Sequence, residues 1–283
     1  MDMAKVEKDI IEFARRRGAS LIGFAAVKDI NSYAPAGHRP TDFLRNAKSV
    51  VVISAGNPSA GTWKSHHPRA LEIVGYARAA APSISAQLTS YIESKYGHYS
   101  ILVPPGVTSG HQPHISLKLL AEMAGLGTRT MAAQTVLNEK YGLVYYGGTI
   151  TSLPLRPTGP RLKSLCPHRL CVKMWEKKGT TPCLTACPDC LKGELEEGRI
   201  KWMEYDQLKC YSRAQTTGTD FFQKMLLEVI NEPDPERRKQ LAFSSHFSKS
   251  IRAMGTGEGI VAQCFECTRV CPLGYKYRYG SLS

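Results

Sequence analysis

Apolar positions in the first half of the chain follow two periods. Val6, Ile10, Phe13 and Ala14 recur at helical spacing, so residues 3–17 read as an amphipathic helix that Gly18 stops. Leu21 to Val27 is a short apolar run of the kind that forms a buried strand, and Ser49 to Ile53 is a second, β-branched one. Ile84, Leu88, Tyr91 and Ile92 stripe a helix over residues 83–95, and Ile101 to Val103 follows as a strand. Ser116 to Met123 reads as helix and stops at Ala124-Gly125-Leu126-Gly127. Tyr141 to Leu155 reads as a strand pair punctuated by Gly142, Gly147 and Gly148. Alternating helices and strands predict an α/β or α+β domain over residues 1–158. Pro154, Pro157 and Pro160 mark its exit. Residues 159–283 form the second predicted unit. There Phe221 to Ile230 is a helix stopped by Asn231-Glu-Pro-Asp-Pro235, inside a helical insertion spanning 211–256.

Hydrophobic residues make up 42% of the 283, enough for a real core. No run approaches the roughly 18 consecutive apolar residues of a membrane helix. Arg15-Arg16-Arg17 before the apolar stretch Ala19 to Val27 has the outline of a twin-arginine export signal. The stretch is short, ends at Lys28-Asp29 and has no small-residue cleavage site, so a helix, a glycine stop and a strand describe it better. The expected compartment is the reducing cytoplasm.

Cysteine placement changes the picture most. All nine cysteines lie between Cys166 and Cys271, and the first 165 residues have none. Cys264, Cys267 and Cys271, followed by Pro272, form C-x2-C-x3-C-P, and Cys183-x3-Cys187-Pro188 repeats its second half. This is the run that surrounds cubic iron–sulfur clusters in bacterial ferredoxins, where the cysteine before the proline ligates the other cluster. Applying that crossing assigns Cys166, Cys171, Cys183 and the distant Cys271 to one [4Fe–4S] cluster. Cys210, Cys264, Cys267 and the distant Cys187 go to a second, and Cys190 is left over. The wide spacing Cys166-x4-Cys171-x11-Cys183 requires an insertion, and Cys187-x2-Cys190 is an alternative ligand pair. One cluster with spare thiols, or a zinc site, also accommodates C-x2-C pairs.

The formal charge of +13 falls to about +9 if two clusters each bring a charge of −2. The surface stays basic, suited to an acidic protein, a nucleic acid or a phosphate-bearing ligand. Arg237-Arg238-Lys239 and Lys276-Tyr277-Arg278-Tyr279 are small basic groups that a solvated surface explains equally well. Gly255-Thr-Gly-Glu-Gly259 lacks the lysine of a phosphate loop and reads as a lead into Cys264.

The order of parts resembles the epoxyqueuosine reductase and reductive dehalogenase superfamily. The resemblance is carried by Ala47 to Ile53, by Lys118 to Gly127 ending in A-G-L-G, by Tyr141 to Leu155, by Lys209-Cys210-Tyr211-Ser212 where that family has R-C-I-S, and by Gly259 to Pro272. It implies a nitroreductase-like, cobalamin-binding α/β domain followed by a ferredoxin-like domain with two [4Fe–4S] clusters. It further implies a ferredoxin or flavodoxin as electron donor and a corrinoid as acceptor, with FMN as the alternative because the related fold holds FMN elsewhere. Under that resemblance Gly125, Leu126 and Gly127 would let the backbone approach a large planar ligand, although a plain helix cap explains the glycines as well. His111 and His114 flank Pro113 in a Gly-rich loop that would face a cofactor or substrate, or serve as a polar lid. His168 would lie near a cluster. Tyr76, Tyr145 and Tyr146, with Tyr96 and Tyr99, are proton-donor candidates by type, and each is also explained as a core or surface aromatic.

Two departures bear on the activity. Ala81 stands where the family has the aspartate regarded as proton donor, and Thr128-Arg129-Thr130-Met131 replaces the stretch that follows its A-G-L-G. The chain also ends eleven residues after Pro272, short of the helical-repeat tail that helps those enzymes hold tRNA. The expectation is an iron–sulfur reductase that passes electrons to a cobalamin, with a substrate other than epoxyqueuosine and a nucleic-acid partner in doubt. Its alternative is an electron-transfer or reactivating protein that reduces the corrinoid or flavin of a partner.

Overall fold

The computed structural model describes residues 2–64, 79–104, 113–161, 163–206, 209–210, 219–254 and 266–280. Its centre is a four-stranded sheet in the order β1-β2-β6-β3, made of β1 (Leu21–Ala26), β2 (Ser49–Ser54), β6 (Tyr146–Thr151) and β3 (Ser100–Leu102). Every ladder in it is antiparallel, so the alternation of helices and strands along the chain does not build a parallel sheet. All six residues of β2 are buried, because helices cover both faces. Side chains alternate across a strand. Val50 and Val52 therefore point into one core with Ile30, Leu120 and Ile150, under the helices Val27–Tyr33 and Leu117–Met123. Val51 and Ile53 point into the other with Ile10, Leu88 and Ile92, under Met3–Arg16 and Ala80–Tyr96.

Local signals set these elements. Asp2 caps Met3–Arg16 by accepting from the Ala4 and Lys5 amides at 3.0 and 3.4 Å. Ser116 accepts from the Leu119 amide at 3.3 Å, which starts Leu117–Met123 where the sequence predicts it. Helix Met3–Arg16 is also tied to the exit of the sheet. Arg156 donates to Glu7 from Nη2 at 2.6 Å and from Nε at 3.0 and 3.1 Å, and its backbone amide adds a bond of 2.9 Å.

Three features differ from the sequence reading. Val27 starts a helix, Val27–Tyr33, rather than ending a strand. The expected strand pair over 141–155 is one strand, β6. Its first part is a tight loop in which Asn138 and Gly142 exchange backbone hydrogen bonds of 2.8 Å, a conformation that the positive φ of Gly142 permits. A two-stranded ribbon, β4 (Thr128–Arg129) with β5 (Val136–Leu137), follows the A-G-L-G stretch.

Beyond Pro160 the described elements are helices Arg169–Lys178 and Pro182–Ala186, the hairpin β7 (Leu191–Glu196) and β8 (Arg199–Tyr205), helices Thr219–Asn231, Pro235–Ala242 and Ser245–Met254, and the short turns Glu266–Arg269 and Tyr275–Tyr279. Glu197 and Gly198, both at positive φ, turn the hairpin. Met225 packs with Phe247 to give the helical insertion a small core of its own. Among the described residues no helix is long and apolar enough to cross a membrane.

Leu88 is fully buried in the second core. Leu88→Ala should cost about 2–5 kcal/mol, read as a lowered urea midpoint at unchanged slope. The Glu7 pair carries a pH signature. The hydrogen bonds from Arg156 hold the Glu7 carboxyl below its ordinary value of 4.5, against the opposing effect of burial. The stabilisation is complete above that value and is lost as pH falls through the lower folded-state value. Thermal midpoints of the wild type should exceed those of Glu7→Gln at neutral pH, and the gap should close as pH is taken below 4.5.

Candidate metal centre

Four cysteines converge from separate elements. Cys166 lies in the loop before Arg169–Lys178, Cys171 in that helix, Cys183 in Pro182–Ala186, and Cys271 just after Glu266–Arg269. Together they line one cavity with about 300 Å³ of atom-free space, part of it open to solvent, and the remaining wall is mostly Ala132, Pro182, Pro272 and Leu273. This is the grouping expected for the first cluster, including the distant Cys271.

Local structure aims these sulfurs. His168 caps Arg169–Lys178: its Nδ1 accepts from the Leu170 amide at 3.3 Å, and its carbonyl accepts from the Cys171 amide at 2.8 Å. His168 thus faces the cavity as a capping residue beside the cysteines. Thr181 caps Pro182–Ala186, and its Oγ1 sits 3.3 Å from the Cys183 sulfur with almost no solvent exposure. Opposite a thiolate, that hydroxyl donates.

The thiols destabilise one another as anions. Burial pushes Cys166 and Cys271 up to about 12 and Cys171 up to about 11, and it raises Cys183 as well. The charge of neighbouring cysteines adds to the shift at Cys166, Cys171 and Cys271. Backbone amides and Thr181 oppose it. Four soft donors in a mostly apolar pocket are poor thiolates unless a cationic core compensates them. Among the described residues no three Cys, His, Asp or Glu side chains are grouped tightly enough to hold a single metal ion. Four thiols in a mostly apolar wall suit a soft, cationic metal centre.

The second expected set is partly visible. Cys187 and Cys267 are buried in one cluster with Cys183, Cys190 and Leu191, and Cys210 packs against it. Asp206 holds this corner together. Its amide donates to the Cys190 carbonyl at 2.9 Å, and its carbonyl accepts from the Cys210 amide at 3.1 Å. Glu266–Arg269, which carries Cys267, packs on Pro182–Ala186. Cys264 lies outside the described residues. Cys190 is as deeply buried as Cys267, so its place beside Cys187 keeps it within the same group.

The seam between the two parts of the chain lies here. Leu273 packs with Trp63, Leu137 and Leu143, and Cys271 and Tyr145 pack against them. Arg269 donates to the Trp63 carbonyl at 3.2 Å. At Gly142 an added Cβ would lie 2.8 Å from the Leu273 carbonyl, so only glycine admits the segment that carries Cys271.

The candidates in the first part fare differently. A Cβ on Gly125 would lie 3.0 Å from the Thr158 carbonyl, and one on Gly127 would lie 2.5 Å from the Leu137 carbonyl. Leu126 is buried in the first core. The close approach these residues permit is made here by neighbouring backbone of the chain itself. Tyr146 packs in the same core and donates to the Val136 carbonyl at 3.3 Å, and burial raises its hydroxyl above the ordinary value. Tyr145 sits at the seam beside Cys271. Tyr96 donates to Asp9 at 3.2 Å, and Tyr99 is exposed. Tyr76, His111 and Gly255 to Gly259 lie outside the described residues. The backbone carbonyls of Pro113 and His114 lie 3.0 and 3.1 Å from His38 Nδ1, so this imidazole holds the end of that loop. Ala81 is fully buried at the start of Ala80–Tyr96.

Sequence reasoning passed over Lys118. Burial pulls its ammonium below the ordinary lysine value and Arg129 adds to this, while Cys210, Cys267 and Glu122 oppose it. The signal available was a lysine two residues after the helix-capping Ser116, on the otherwise apolar run Leu117 to Ala121.

No family model matches the chain, and no curated protein matches it in sequence. Solved structures do. Epoxyqueuosine reductase from Bacillus subtilis superposes with a TM-score of 0.53 at 16% identity, covering 98% of this chain and 67% of that one. Epoxyqueuosine reductase with an epoxyqueuosine-modified tRNA-Tyr stem loop gives 0.53 at 18% identity, with the same coverage. The enzyme from Streptococcus thermophilus gives 0.51 at 15%, covering 95% of this chain and 66% of that one. Over nearly its whole length, the chain has the fold of the epoxyqueuosine reductases.

Proposed function

We propose that the protein is an iron–sulfur oxidoreductase whose part beyond residue 158 is a ferredoxin-like domain for two [4Fe–4S] clusters, with 211–256 as an insertion. The observation that carries this reading is the single apolar cavity walled by Cys166, Cys171, Cys183 and Cys271. Those four would hold one cluster, and Cys187, Cys210, Cys264 and Cys267 the other. When bound, such clusters supply reversible one-electron transfer. The protein's own part is to desolvate the sulfurs with Ala132, Pro182 and Leu273, to donate from Thr181 to the Cys183 sulfur, and to fix Cys271 through the seam at Gly142. A basic chain of charge +13 suits a small acidic electron donor such as a ferredoxin or flavodoxin. Thiols kept reduced for such a site fit the cytoplasm.

The acceptor divides the proposal. A corrinoid in the first part, with FMN as its alternative, follows from the fold's likeness to reductases. The filled cradle at Gly125 and Gly127 and the apolar burial of Ala81 instead favour a protein that reduces a corrinoid or flavin carried by a partner. No step through either group is derived from the residues described.

Protein purified and reconstituted without oxygen should hold about eight irons per chain. Cys183→Ser and Cys267→Ser should each lose about half, whereas Cys190→Ser should keep the full complement. Zinc in place of iron, or full iron after Cys183→Ser, would remove the reading. Titrating the intact protein with cobalamin separates the two acceptors: an altered corrinoid spectrum supports a resident corrinoid, and an unchanged one supports the partner.

A further inference from the structure

One flank of the cysteine pocket is strongly basic. Helix Arg169–Lys178 turns Cys171 into the pocket, and on the same inward side Trp175 packs on the cysteine-bearing core. Residues four apart share a helix face. Arg169, Lys173 and Lys177 therefore line up on the outward side, all exposed, with Leu170 beside them at 54% exposure. Lys163, exposed in the loop that leads to Cys166, extends the charge. Glu176 is the one acidic residue between Lys163 and Lys178. Among the described residues none of these four basic side chains makes an ion pair. The basic groups of the insertion and the hairpin differ. Arg237 and Lys239 pair with Glu232 and Glu236 at 3.5 and 2.7 Å, and Lys201 reaches Glu194 and Glu196 at 3.5 and 3.0 Å. Cys166 and His168, just before Arg169, line the pocket and stay partly exposed.

Resting on the iron–sulfur reading, we infer that the outward face of Arg169–Lys178, centred on Leu170 and edged by Arg169, Lys173 and Lys177, is where a small acidic one-electron carrier docks to reduce the cluster in the adjoining pocket. An apolar centre with a charged rim is the anatomy of a protein interface, and complementary charge there sets the association rate more than the affinity. Basic groups that no local carboxylate neutralises keep their field for a partner. A carrier seated on this face is separated from the pocket by the thickness of one helix, about 10–12 Å, which an electron crosses by tunnelling. The step balances: the carrier's reduced centre loses one electron, the cluster gains it, and no bond is made or broken. A single-stranded nucleic acid would be held by stacked aromatic rings as well as by charge, and Arg169, Leu170, Lys173 and Lys177 offer no ring.

The test uses the full chain reconstituted without oxygen, mixed with a reduced acidic bacterial ferredoxin and followed by stopped-flow absorbance. Arg169→Glu with Lys173→Glu reverses the face, in the N-terminal half of a helix, where the dipole favours acids. The expected result is full iron and unchanged redox midpoints, with reduction by ferredoxin slowed about tenfold or more at low salt and the difference shrinking as salt is raised. Reduced methyl viologen, a small cationic reductant that needs no docking, should reduce the variant no more slowly than wild type. Leu170→Ala should slow ferredoxin alone, and Arg237→Glu with Lys239→Glu, on the insertion, should not. If the double reversal takes up less iron, Lys173→Gln with Lys177→Gln decides on the same readouts. An unchanged ferredoxin rate in a fully loaded face variant, an equal loss in the insertion variant, or a parallel loss with methyl viologen would overturn the inference. So would lost binding of an RNA stem loop at an intact ferredoxin rate, which would assign the face to nucleic acid. Wild-type protein that takes up no iron would overturn the iron–sulfur reading instead, a result seen before any carrier is added.

Discussion

Burial of sulfur is the constraint on which the rest of the molecule turns. A thiolate in an apolar wall is unfavourable, and four of them repel one another, yet Cys166, Cys171, Cys183 and Cys271 are brought into one apolar pocket. Thr181 and a few backbone amides oppose that charge. The fold accepts this because other forces position the pieces. Helix caps at His168 and Thr181 aim two of the sulfurs, and hydrophobic packing of Leu273 against Trp63, Leu137 and Leu143 places a third.

The covered sheet supplies the rigidity behind that placement. Both faces of β2 are packed, and its neighbour β6 leads through Leu153 and Leu155 to Arg156, where Glu7 anchors the exit. From there the chain passes Gly159 and Arg161 to the first cysteine. Arg161 donates to the Gly125 carbonyl at 3.1 Å, so the start of the cysteine-bearing segment is bound to the A-G-L-G corner. The same corner sends Lys118 and the ribbon β4-β5 toward the second group of cysteines.

Much of this was legible in the residues. Helical periodicity located Met3–Arg16 and Ala80–Tyr96 to within a few positions, because amphipathic stripes report directly on which face is buried. The ferredoxin-like spacing, with its crossing rule, gathered Cys166, Cys171, Cys183 and Cys271, which the pocket indeed brings together. Contacts made by glycine were not legible. Gly125 and Gly127 read equally well as ligand approach or helix cap and Gly142 as strand punctuation, and their close approach to Thr158, Leu137 and Leu273 needed the folded chain to be seen. The hairpin β7-β8 escaped because its strands are rich in charge, and its turn signal, Glu197-Gly198, is short. Lys118 escaped because a lysine on a helix is ordinarily solvated.

The Gly142 seam also governs assembly. The cavity is completed by Cys271, which comes from a segment distant in sequence from Cys183 and is seated by a loop of the first part. The fourth wall therefore exists only after the segment that carries Cys271 has been synthesised, and until then Cys166, Cys171 and Cys183 lack their partner. The thiols from Cys166 onward are open to oxidation until the segment that carries Cys271 docks.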